Sequence, residues 1–102
     1  MMDRSQKIIG QKIIEFSFFE HQISQLVFED KSQLTIYYPL NFEGKVDYQQ
    51  IAGSKLLDIA EDEDGITLVL SSGRISLDKV EDYGPEFMQL KLSGSEKIII
   101  WN

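Results

Sequence analysis

Apolar residues recur at every second position through most of this chain, in runs too short for anything but strands. KIIEFSF (12–18) puts Ile14, Phe16 and Phe18 on one side, and ISQLVFE (23–29) and QLTIYY (33–38) follow after the turn-like FEHQ and EDKS. In the third run Leu34, Ile36 and Tyr38 face the core and Thr35 and Tyr37 the other side, as a period of two requires. Three further runs, KLLDIA (55–60), ITLVL (66–70) and RISL (74–77), are separated by EDEDG and SSG. Asp64-Gly65 and Ser72-Gly73 punctuate these hairpins, because Gly accepts the positive φ of a tight turn. EFMQLKL (86–92), with Met88, Leu90 and Leu92 inward, and KIIIW (97–101) close the chain. A helical period of 3.6 is absent throughout, and only VDYQQIA (46–52) has room for a turn or two of helix. The pattern predicts an all-β fold: an antiparallel meander of about eight short strands, closed as a small barrel or a sandwich.

The chain also repeats itself. GQKIIEFSFFEHQI (10–23) and GSKLLDIAEDEDGI (53–66) align without a gap at an offset of 43, with Gly10/Gly53, Lys12/Lys55, Glu20/Glu63 and Ile23/Ile66 identical. LVF against LVL, LTI against ISL, and KVDY against KVEDY extend the likeness with small gaps at turns, where length changes are best tolerated. The expectation is one β domain over residues 1–102, built from two degenerate three-stranded repeats (about 10–48 and 53–83) and a closing strand pair within 86–101. A second three-stranded unit would cover a face and an edge that neither could hide alone.

Length supports a single core, and with no cysteine among 102 residues there are no disulfides or thiolate sites. No apolar run is long enough for a signal peptide or a membrane helix, so the expectation is a cytoplasmic protein without a membrane partner. The net charge of −7 is uneven. Between Asp58 and Glu86 stand nine acids and only two bases, Arg74 and Lys79, while the rest of the chain balances. That argues against nucleic acid as a partner, since phosphate affinity comes from clustered cations.

Catalytic chemistry finds little to work with. His21, the one histidine, sits in the turn FEHQ, with no nucleophile or orienting acid in evidence. EDEDG resembles a calcium loop only superficially: with Gly65 at the sixth position, Ala60 and Ser71 fall where the first and last carboxylates belong. No glycine-rich phosphate loop is present, and one His without Cys makes a poor zinc set. The reading is therefore no enzyme, no cofactor and no metal. Tyr37, Tyr48, Tyr83, Phe87 and Trp101 are aromatic residues that the alternation does not assign firmly to the core, and any that face outward would suit a protein interface.

The succession G-x-K-I-I-E-F, I-S-Q-L-V-F-E-D-K-S-Q-L-T-I and GRISL with a closing strand pair, including Gly10, Phe28, Asp30 and Leu34, resembles small β-rich bacterial proteins. Some of these are immunity proteins encoded beside secreted toxins. The resemblance transfers no site residues, but together with the absence of a catalytic constellation and the charge concentrated in one half it leads to the expectation of a non-enzymatic protein-binding module that neutralises a basic partner such as a toxin nuclease. The charge distribution nominates Glu61, Asp62, Glu63, Asp64, Glu81 and Asp82 as the partner-binding acids, with Tyr83 as an aromatic anchor. Two other readings stay open: a small-molecule or lipid carrier using a barrel interior, and a homodimeric structural module pairing through KIIIWN.

Overall fold

A computed structural model describes residues 7–19, 23–43, 48–79, 86–94 and 98–101. The strands are β1 (Ile13–Phe18), β2 (Ser24–Phe28), β3 (Gln33–Ile36), β4 (Asn41–Glu43), β5 (Leu56–Glu61), β6 (Gly65–Leu70), β7 (Gly73–Asp78), β8 (Met88–Lys91) and β9 (Ile98–Trp101). The helical turn α1 (Tyr48–Ile51) falls where VDYQQIA leaves room for one. They form two antiparallel sheets, one ordered β1-β2-β3-β8-β9 and the other β4-β7-β6-β5, and no closed barrel. The barrel expectation is thus corrected: among the described residues each sheet ends in two edge strands, β1 and β9 in the first and β4 and β5 in the second.

The meander holds only within β1-β2-β3 and β5-β6-β7. Pro39 has no N–H to give a ladder, so the chain leaves the first sheet after β3 and lays β4 against β7. The later strand β8 returns to pair with β3. Each three-stranded unit is thereby extended by a strand that follows the other unit. β4 escapes the alternation pattern because three residues, NFE, are too few to show a period.

The two units meet through reciprocal bonds. Gly10 N–H donates to Leu56 O (2.6 Å) and Gly53 N–H to Ile13 O (2.7 Å), while Ile13 N–H donates to Ser54 O (2.8 Å) and Leu56 N–H to Gln11 O (3.0 Å). Lys12 and Lys55 face each other as an isolated antiparallel bridge at the centre. Gly10 and Gly53 both take left-handed φ, 88° and 99°, which favours glycine at both positions.

One core fills the space between the sheets. Leu34, Ile36, Tyr38, Met88, Leu90 and Leu92 are buried as the alternation predicts, and Trp101 is buried as well. Ile14 is not. Ile13 pairs with Phe28 and Glu15 with Val27, so Ile14 is the extra residue of a β-bulge and stands exposed while Ile13 takes the core position. The same shift separates Leu56 from Asp58 and leaves Leu57 exposed. Phe16 packs partly on the core, and Phe18, on the same side at the strand's end, is exposed with its ring edge-on to Phe16 at 4.8 Å.

Ser24 is fully buried, and its hydroxyl has no hydrogen-bond partner among the described residues. An unsatisfied buried hydroxyl costs about 1–3 kcal/mol. Ser24→Ala should therefore raise stability by about 1 kcal/mol, read as a higher thermal midpoint. A midpoint lowered by the change would mean that the hydroxyl is satisfied.

The β2–β3 turn carries a pH signature. Lys31 takes a left-handed φ of 74°, and the Asp30 carboxylate accepts from Ser32 N–H at 2.9 Å. Burial pushes the Asp30 carboxyl up, but hydrogen bonds from Gln11 and Ser32 outweigh it and hold the group below its ordinary 3.8. A carboxylate depressed in the folded state stabilises the fold above its unfolded pKa, and that gain is lost as pH falls through the folded value. Asp30→Asn should thus show a smaller loss of thermal midpoint between pH 5 and pH 2 than the parent chain; an equal loss would assign the acid sensitivity elsewhere.

Candidate functional site: the outer face of the second sheet

The acidic hairpin between β5 and β6 is partly its own scaffold. The Asp62 carboxylate accepts from Asp64 N–H (2.8 Å) and Gly65 N–H (3.0 Å), and Asp62 N–H closes the turn on Gly65 O (3.0 Å). Short acids favour such side-chain-closed turns. Glu61 pairs with Lys79 at 2.7 Å, and Lys79 also donates its backbone N–H to Asp64 O and lies 5.7 Å from the centre of the Phe87 ring. Glu63 and Asp64 are exposed at the tip.

Register places further acids beside them. The ladder sets Asp58, Val69, Arg74 and Glu43 in one row across the sheet and Ala60, Thr67, Ser76 and Asn41 in the next, all pointing away from the core. Beyond these rows Asp62, Asp64 and Asp78 gather with Gly65, Thr67 and Ser76 round an open hollow of about 160 Å³. Asn41 Nδ2 donates to Asp78 Oδ2 at 3.4 Å. Small side chains occupy the centre of this face, and among the described residues five carboxylates (Glu43, Asp58, Asp62, Asp64, Asp78) stand against one cation, Arg74.

The outer face of the first sheet has the same plan and different chemistry. Its rows are Glu15, Val27, Gln33, Lys91, Ile98 and Ser17, Gln25, Thr35, Gln89, Ile100. Neutral side chains bond to one another there: Gln25 Nε2 to Thr35 Oγ1 (3.3 Å) and Tyr37 Oη–H to Gln89 Oε1 (3.0 Å). Burial, and secondarily the Glu86 carboxylate, raises the Tyr37 phenol above its ordinary 10.0. Among the described residues this side mixes two acids, Glu15 and Glu86, with two bases, Lys31 and Lys91, so the two faces differ in charge.

Of the acids nominated from sequence, the structure gathers Asp62 and Asp64 at the hollow, leaves Glu63 at the tip and turns Glu61 to Lys79 on the other side of the strand. Glu81, Asp82 and Tyr83 lie outside the described residues, as do His21 and the Tyr48 side chain. Sequence reasoning did not single out Asp58, Asp78 or Glu43. Counting by twos from Thr67 and Ser76 would have placed the first two, whereas Glu43 needed the unseen β4. Among the described residues no group of three or more His, Cys, Asp or Glu is arranged to hold a metal ion, and no helix is long and apolar enough to cross a membrane.

Comparison with protein families, with known proteins and with solved structures finds no match to this chain.

Proposed function

We propose that this chain is a non-enzymatic protein-binding module, an immunity-type protein that neutralises a basic partner such as a toxin nuclease in the cytoplasm. The observation that carries this reading is the charge difference between two faces of the same plan: among the described residues, five carboxylates and one cation on the second sheet, against a balanced set of Glu15, Glu86, Lys31 and Lys91 on the first. A sheet face presents its carboxylates on a rigid frame, and an acidic field both steers a cationic protein and mimics the phosphates its active site would hold. The acids that act in it are Asp58, Asp62, Asp64 and Asp78, with Glu63 at the rim. The carrier alternative has less to rest on, because the described strands enclose no barrel and their inward side chains form one packed core.

The test is capture of partners by the tagged chain, followed by association rates for the captured basic protein over a range of salt. Asp58→Lys with Asp64→Lys and Asp78→Lys should slow association by roughly tenfold or more and remove most of its salt dependence. The same rates with Glu15→Lys, on the other face, should stay near the parent. Unchanged association in the triple variant would reject the acidic face.

We also infer that the two halves are degenerate copies of one unit. The paired bonds Gly10 to Leu56 and Gly53 to Ile13, the matching bulges at Ile14 and Leu57, and the exchange of β4 and β8 support a common origin.

A further inference from the structure

The four edge strands of the two sheets differ in charge. β1 carries Glu15, β5 carries Asp58 and Glu61, and β4 carries Glu43, but β9 has no charged residue from Ile98 to Trp101. Charge on an edge strand is a common guard against pairing with another chain, and β9 lacks it. Its register against β8 turns Ile99 and Trp101 inward and sets Ile98 and Ile100 on the outer face, 47% and 45% exposed. β9 is therefore a strand edge open among the described residues, flanked by two apolar side chains.

We propose that β9 is a self-association edge, at which the β9 of a second copy pairs antiparallel to make a twofold dimer. Charge selects a second copy as the occupant. Two chains of net charge −7 repel wherever their acids approach, and β9 is the edge that brings none of its own. The sheet it extends has a balanced outer face, while the crowded carboxylates lie on the other sheet. A basic partner gains nothing electrostatically at this edge. Antiparallel pairing centred on Ile99 is self-complementary: Ile98 of one copy meets Ile100 of the other on the same face, twice over. The dimer leaves both acidic faces uncovered, so it is independent of the neutraliser reading and would make such a protein bivalent.

Sedimentation of the full chain from low to high micromolar concentration tests this. The mass should rise from 11.8 kDa toward twice that value. Ile98→Lys and Ile100→Lys should each hold it at the monomer without altering the circular dichroism, since both side chains point outward. Ile14→Lys places the same charge on an equally apolar, exposed residue of another strand, and should leave the dimer intact. A parent chain that stays monomeric throughout, or a dimer that survives both β9 substitutions, would overturn the proposal.

Discussion

Ile13→Ala is expected to lower stability by about 2–5 kcal/mol, whereas Ile14→Ala should stay within about 0.5 kcal/mol of the parent. The residues are neighbours of identical chemistry. The difference comes from the bulge alone: Ile13 is fully buried opposite Phe28, and Ile14 is 42% exposed as the residue left out of the ladder. For a domain of this size each kcal/mol moves the thermal midpoint by roughly 4–8 °C, so the first variant should melt about 8 °C lower or more. Leu56→Ala and Leu57→Ala should reproduce the contrast in the second unit. If Ile14→Ala proved the more damaging of its pair, β1 would lack the bulge and its inward set would be the one that plain alternation gives.

Gly65→Ala should cost about 2–3 kcal/mol, near the upper end of what overpacking does. Gly65 does not take a positive φ, so the hairpin expectation is corrected there; of the two glycines it named, only Gly73 does so, at 151°. The requirement at Gly65 is closeness: a Cβ would fall well inside contact distance of the Leu77 carbonyl oxygen. Backbone must yield, because a main-chain oxygen in a paired strand has no rotamer to change. Thr67→Ala, two residues along on the outer face, should change stability by less than about 0.5 kcal/mol. A Gly65→Ala variant as stable as the parent would mean that β6 and β7 can separate locally at no cost. Because Gly65 lies beside Asp64 and opposite Asp78, the same variant should also disturb the acidic hollow.

Strand existence was legible because β-branched and aromatic residues alternate with polar ones, and Leu34, Ile36, Tyr38, Met88, Leu90 and Leu92 went where the alternation sent them. A bulge is invisible to such a rule. It adds one residue and flips everything before it, so the alternation groups Ile14 with Phe16 and Phe18 while Ile13 takes the core position. Closure was also beyond reach, since a local pattern does not reveal which distant strand pairs with which. The exchange of β4 and β8 depends on Pro39 ending a ladder and on edges that only the assembled sheets present. The site was half legible. Net charge located the acidic half and with it Asp62 and Asp64, but Glu61's commitment to Lys79 and the convergence of Asp62, Asp64 and Asp78 belong to register.

The strand exchange bears on how the chain emerges during synthesis. Tyr37 bonds Gln89, 52 residues later, and Ser32 accepts from Ser93, 61 residues later. The first three strands leave the ribosome without the strand that completes their sheet, and they wait for nearly the whole polypeptide. Stable structure should therefore come late and together, with slow folding typical of a chain whose essential contacts are remote, and a translation product stopped before β8 should be a substrate for chaperones and proteases rather than a smaller working protein.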